Sequence, residues 1–253
     1  MDLFITILFI GFIGAFISGL VGIGGAIIIV PMLYFIPPLF GLTGLSMQES
    51  AAISIVQVLV ATGTAALVHK SNKTVNTDLV MWMGSSIIVA SFIGGMGSKY
   101  VDETTLQIVF ASLALIAAIM MFIPKKEVNS EEVVFNKPLA VLSAAVVGIL
   151  AGLIGAGGSF LLVPVMLYIL KIPLRVTIGS SLGIVFFSAV AGFAGKVLTG
   201  QIMWFLSLAI IIGAIPGANL GSKISNKVPA KTLKLLLALL ISGSAIKMWL
   251  NIL

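Results

Sequence analysis

Between Asp2 and Glu49 the chain carries no charged residue, and further uncharged runs occupy 50–68, 79–98, 104–124, 138–170 and 176–195. A helix needs about 20 apolar residues to cross the core of a bilayer, so these runs are of membrane length. Only 9% of the 253 residues are charged, against about 25% in a soluble domain, whose surface must be wetted. The chain therefore reads as an all-α integral membrane protein. Its net charge of +6 does not indicate nucleic acid, because the basic residues sit at segment ends, where membrane orientation explains them. With no cysteine, disulfides, thiol relays and cysteine-based metal sites are excluded. The first residues lack a basic stretch before the apolar run and do not resemble a cleaved secretory signal.

Ten apolar segments can be drawn, at roughly 3–20, 25–40, 47–68, 79–98, 104–123, 138–153, 158–170, 176–195, 202–222 and 230–250. Ser46 followed by Glu49 predicts a capping box, and Pro138 and Pro229 suit first-turn positions. The only long polar interval, 124–137, separates a first transmembrane repeat (1–123) from a second (138–253). The two halves resemble each other. Gly19 to Pro31 matches Gly152 to Pro164 without a gap, Ala52 to Ile55 lines up with Gly179 to Leu182, and Gly97 to Lys99 lines up with Gly221 to Lys223.

Positive charge orients the segments. If all ten cross, eleven of the fourteen basic residues collect on one face, leaving Lys99, Lys196 and Lys247 on the other. If segments 2 and 7 only dip in and return, the split is seven against seven. The biased arrangement is expected, with both termini outside the cytoplasmic membrane. Five crossings per repeat is odd, so the second copy inserts upside down. Inverted repeats of this kind, with broken helices at their interface, are a recurring transporter plan.

The breaks are expected at Gly22, Gly24 and Gly25, and at Gly155, Gly157 and Gly158, where glycine lets the chain leave helical geometry. In lipid such a break is tolerated only when buried in protein or lining a wet cavity. A helix restarting at Ala26 or Ser159 aims its N–H groups and partial positive charge into that cavity, which suits an anion. The competing reading is close packing of small residues, and Gly213, Gly217 and Gly221 fit that better. Pro31 and Pro164 are candidate hinges or helix breaks. Ser54, Gln57, Ser180 and Ser181, in the next helix of each repeat, are neutral groups able to donate to an oxyanion; bonding to their own helices is the alternative. Asn219 is a weaker candidate of the same kind. His69 and Lys196 end segments 3 and 8 and align in the repeat. They are candidate gates, although interfacial snorkelling explains them more simply. Glu49 and Asp78 read as helix-start carboxylates. No carboxylate lies deep in a segment, so a buried proton or sodium site of the usual kind is not evident. No catalytic group, metal site or cofactor is expected.

The duplicated Gly-Leu-x-Gly-x-Gly-Gly element ending in Pro31 and Pro164 resembles the TauE/SafE family of sulfite exporters, as does Gly179 to Leu182. Ala52 to Ile55 departs from the family pattern. The resemblance implies a permease for sulfur-containing anions such as sulfite, thiosulfate or organosulfonates, with Gly22, Gly24, Gly25, Ser54, Gly155, Gly157, Gly158 and Ser181 along the pathway. The expected mechanism is alternating access, one repeat rocking against the other around a midplane anion. Coupling to a proton or sodium gradient and a homo-oligomer are compatible with this reading. A passive anion channel and a non-transporting membrane scaffold are its rivals.

Overall fold

Helix-capping side chains set where the segments begin. In the computed structural model, which describes residues 2–21, 26–69, 75–122, 135–225 and 228–252, ten α-helices are present: α1 (Leu3–Val21), α2 (Ala26–Leu39), α3 (Met47–His69), α4 (Thr77–Gly97), α5 (Glu103–Phe122), α6 (Lys137–Ile154), α7 (Ser159–Pro164), α8 (Leu174–Leu198), α9 (Trp204–Ser225) and α10 (Ala230–Ile252). The capping box forms reciprocally. The Ser46 N–H donates to Glu49 Oε2 at 2.8 Å, and the Glu49 N–H donates to Ser46 Oγ at 3.2 Å. Asn76 Oδ1 and Asn136 Oδ1 likewise accept the N–H groups of Leu79 and Leu139, starting α4 and α6. Asp102 does the same for α5, accepting from the Thr105 N–H and Oγ1. Each satisfies a donor that helix geometry leaves without a partner. Asp78 lies in the first turn of α4, where the helix dipole favours its charge. Pro138 sits in the first turn of α6, whereas Pro229 falls just ahead of α10.

Among the described residues, six helices are long and apolar enough to cross a membrane: α1, α4, α5, α6, α8 and α9. The outward side chains are apolar: Phe9, Val89, Ile116, Leu142, Leu208 and Ile246 are all exposed. Serine and threonine hydroxyls are turned inward instead, with Thr62, Ser91, Thr177, Ser188 and Ser207 buried. That inversion of the soluble pattern is what lipid as solvent demands.

Packing crosses the boundary between the sequence halves. Helix α1 lies along α9, and α6 lies along α4, with α3 against both α8 and α9. Small residues bring the backbones close. A Cβ at Gly213, Gly217 or Gly221 would sit 2.1, 2.3 or 2.0 Å from the carbonyl oxygens of Leu8, Phe12 and Phe16 on α1. The packing reading of that glycine series is therefore the one the fold uses. Across α4 and α6, a Cβ at Gly94 would sit 2.2 Å from Ile149 O, and one at Gly152 would sit 2.4 Å from Ser91 O. Helices α4 and α8 run in the same direction: the Asn76 N–H donates to Ser180 Oγ at their starts, and the Ser91 and Ser188 hydroxyls meet at 2.6 Å midway. Helices α1 and α9 also run the same way, Gly11 meeting Ile210 and Gly19 meeting Ala218.

Candidate functional site

Chain geometry breaks where the second glycine cluster lies. Helix α6 ends at Ile154, and Gly155 takes a left-handed φ of 70°. Its N–H donates to Gly152 O at 3.3 Å and the Ala156 N–H donates to Ala151 O at 2.9 Å, closing the helix as a Schellman turn. Gly157 and Gly158 also have positive φ, 60° and 77°. Helix α7 then restarts, its first intrahelical bonds running from the Leu161 and Leu162 N–H groups to Gly158 O. The N–H groups of Ser159 and Phe160 precede those bonds and have no carbonyl to donate to within the helix. The break is packed against α3. A Cβ at Gly155 would lie 1.9 Å from Ala51 O, and one at Gly157 would lie 2.7 Å from Val58 Cγ1 and 3.4 Å from Val185 Cγ1 on α8. Only glycine meets both the conformation and the space at 155.

Pro164 marks a second irregularity. Helical turns after it widen to π geometry over Val165–Ile169, with the Leu170 N–H reaching back to Val165 O. Pro31 behaves differently from the expected break: α2 runs straight through it, from Ala26 to Leu39. Proline removes one N–H and so leaves the Ile27 carbonyl without its helical donor, a loss the surrounding packed turns absorb. The first-half glycines Gly22, Gly24 and Gly25 fall between Val21 and Ala26, outside the described residues. The side chains of Ser159 and His69 are likewise outside the description, although both residues lie in helices.

Beside the second break, α3 presents a polar stripe. Ser50, Ser54 and Gln57 each have 0% exposure. None of Ser50 Oγ, Ser54 Oγ, Gln57 Nε2 or Gln57 Oε1 has a hydrogen-bond partner. At about 100° of rotation per residue, the three fall within roughly 60° of one another, about a quarter turn round α3 from the Ala51–Val58 face that contacts the break. Thr177 Oγ1 on α8 is buried and unpartnered too. Leaving such a group unpaired costs about 1–3 kcal/mol, so four neighbouring atoms on one helix form an uncommon concentration of unspent hydrogen-bonding capacity. The serines of α8 are spent differently. Ser180 Oγ accepts the Asn76 N–H, and Ser181 Oγ donates to Ile178 O on its own helix at 3.1 Å. Ser50 and Thr177 were not singled out from the sequence; Ser50 could have been, by extending the spacing of Gln57 and Ser54 back one turn. Asn219 Oδ1 and Ser222 Oγ on α9 also lack partners.

Lys196 does not snorkel. It is fully buried near the end of α8, and its Nζ donates to Ser98 Oγ and to Gln201 Oε1, the latter at 3.3 Å. The backbone brings it there: α8 and α4 pack through Gly95 and Gly195, where a Cβ would meet Gly192 O at 2.6 Å and Phe92 O at 2.6 Å. A separate groove of about 400 Å³ between α4 and α8 is walled by Ile88, Val89, Phe92, Phe187 and Val190, and offers no polar group to hold an anion. Among the described residues there is no group of three or more His, Asp or Glu that could hold a metal.

Similar proteins agree on a class. The chain is 26% identical over 259 residues to the "probable membrane transporter protein YunE" of Bacillus subtilis, covering 94% of each chain. It is 28% identical over 261 residues to a "probable membrane transporter protein" of Haemophilus influenzae, covering 96% of this chain and 97% of that one. A third relative, "probable membrane transporter protein YjnA" of Bacillus subtilis, is 23% identical over 96% of this chain and 99% of its own. No solved structure matches. The family model described as "Sulfite exporter TauE/SafE" matches residues 7–248, so this multi-pass, helical chain belongs to that family of membrane transporters.

Proposed function

We propose that the chain is a permease for small sulfur-containing anions, such as sulfite, thiosulfate or an organosulfonate, working by alternating access around the break at 155–158. The observation that carries this is the set of buried, unpartnered atoms of Ser50, Ser54 and Gln57 beside the start of α7. Neutral donors and a helix N-terminus together bind an anion weakly enough to release it again. A fixed arginine clamp would hold it harder.

The repeats are read as inverted. Helix α1 packs on α9 as its counterpart α6 packs on α4, a pairing that an axis in the membrane plane would produce. The shared direction of α4 and α8 requires an odd number of crossings between them, and α5, α6 and 159–169 supply three. The shared direction of α1 and α9 then requires α2 to cross as well. Both observations support ten crossings, with α2 and α7 as short ones. Because the chain has no cysteine, sidedness is directly testable. Single cysteines at 71–74, 128–131, 172–174 and 225–228 are expected to react only from the cytoplasm of intact cells, and labelling from both sides would overturn this topology.

Transport is tested by sulfite uptake into proteoliposomes. Ser54→Ala with Gln57→Leu is expected to abolish uptake while leaving the protein at least as stable, because a buried unpaired group is removed. Gly25→Val and Gly158→Val are expected to lose uptake as well. Full transport by all of these variants would reduce the clusters to packing elements. Accumulation against a gradient, driven by protons or sodium, separates a carrier from a passive channel.

A further inference from the structure

Lys196 is a buried amine, and among the described residues no carboxylate pairs with it. Its partners, Ser98 Oγ and Gln201 Oε1, are neutral, and two donors of a three-donor group are thereby used. The carboxylates nearest in sequence to Ser98 are committed elsewhere: Asp102 holds the Thr105 N–H and Oγ1, and Glu103 Oε1 accepts the Met47 N–H. A second cation stands at the same end of the bundle, Lys99, whose Nζ donates to Thr199 O at 3.1 Å. Burying an ionisable group without a counter-charge is costly, and inside a membrane protein groups that bear such a cost mark substrate or ion paths.

The cluster is continuous with the break. Gln201 Nε2 donates to Gly95 O at 3.0 Å, and Ser98 Oγ lies 3.1 Å from the same oxygen. The Gly95 nitrogen is 2.7 Å from where a Cβ on Gly152 would stand, and Gly152 is three residues before Gly155. Lys196 is therefore linked through Ser98, Gln201 and Gly95 to Gly152, in the turn of α6 that leads into the glycine cluster, at the end of α4 that carries Lys99.

We infer that Lys196, with Ser98 and Gln201, forms a second anion subsite, taking a small oxyanion as the missing counter-charge on its way between the break and that end of the bundle. This rests on the permease reading above. The remaining N–H of Lys196 donates to the anion, while Ser98 and Gln201, joined by the Ser98 hydroxyl donating to Gln201 Oε1 at 2.6 Å, hold the amine in place between α4 and α8.

The test uses the full-length protein purified in detergent and reconstituted. Thermal unfolding, sulfite binding and sulfite uptake are measured for wild type, Lys196→Met, Lys196→Arg and Lys196→Cys. Methionine keeps the shape and removes the desolvated charge, so melting temperature is expected to hold or rise, while the sulfite concentration for half-saturation rises about tenfold or more. Arginine is expected to stay within about threefold of wild type. Since the chain has no other cysteine, treating Lys196→Cys with 2-bromoethylamine rebuilds a lysine-like ammonium at that position alone, and is expected to restore affinity. Unchanged half-saturation in Lys196→Met overturns the subsite and leaves the permease reading standing. A joint fall in stability and affinity that aminoethylation does not reverse also overturns it, marking Lys196 as a packing group. If the methionine variant does not fold, the arginine variant and the paired cysteine measurements decide alone. Wild-type protein that neither binds nor takes up sulfite, thiosulfate or a sulfonate fails the permease reading, and the subsite with it.

Discussion

Replacing Gly155 by alanine separates backbone strain from steric collision, because the fold supplies its own controls. Gly41 and Gly200 have φ of 69° and 70°, nearly the 70° of Gly155, but nothing lies within 4 Å of a Cβ built on either. Alanine at those two positions meets only the left-handed conformation, which costs about 1–2 kcal/mol. At Gly155 the same conformation applies, and the new methyl would also stand 1.9 Å from Ala51 O and 2.6 Å from the Ala51 carbonyl carbon. That neighbour is backbone within α3, and cannot rotate away. Overpacking of this kind costs about 1–3 kcal/mol, giving roughly 2–5 kcal/mol in all. Gly158→Ala falls between, since its nearest neighbours are side-chain methyls, of Val147 at 3.0 Å and Ala151 at 3.3 Å. Reversible unfolding in mixed detergent micelles, followed by tryptophan fluorescence, measures the series. The expected order of loss is Gly41 and Gly200, then Gly158, then Gly155. A Gly155→Ala loss no greater than that of Gly41→Ala would show that the break does not press on α3, and the apposition of glycine cluster and polar stripe would fail with it.

Other perturbations follow from single contacts. Gly217→Leu drives a side chain into the Phe12 carbonyl 2.3 Å from its Cβ, and should prise α1 from α9, lowering the unfolding midpoint without altering the α4–α6 pair seen by crosslinking. Asn76→Ala and Asn136→Ala each remove a capping acceptor and should cost about 1 kcal/mol in the same unfolding assay. Asp102 is held below the usual carboxylate range by the Thr105 N–H and hydroxyl. A depressed folded-state pKa means its contribution is present at neutral pH and lost only as pH falls through that depressed value. Asp102→Asn should therefore lower stability at neutral pH, leave the acid end nearly unchanged, and so flatten the profile between them.

What the residues disclosed in advance depended on how far away each one's partner lay. Helix starts were legible at Ser46, Asp78 and Pro138 because caps and first-turn preferences are local, involving residues three or four apart. The break at 155–158 was legible for the same reason: three glycines in four positions inside an apolar run free the chain from helical geometry locally. Pro31 misled because the penalty for an internal proline is one hydrogen bond, small enough for packing to override. Lys196 misled further. A lysine at the end of an apolar segment normally reaches for the interface, and only the fold reveals Ser98, almost a hundred residues earlier in the chain, waiting beside it. Ser180 and Ser181 share one sequence pattern but have different partners, one in another helix and one in its own turn. That distinction also lies beyond any single-segment reading.

The main-chain contact between α1 and α9, and between α6 and α4, constrains how such a molecule can change shape. Helices that touch carbonyl to Cα have no compliant side-chain layer to shear, so each pair must travel as one piece. Because each pair takes one member from residues 1–123 and one from residues 138–253, those two stretches cannot swing as blocks against each other. Relative movement of the two pairs would have to pass through the contacts of α3 with α8 and α9. A joint in this packing therefore does not follow the polar interval that divides the sequence in two.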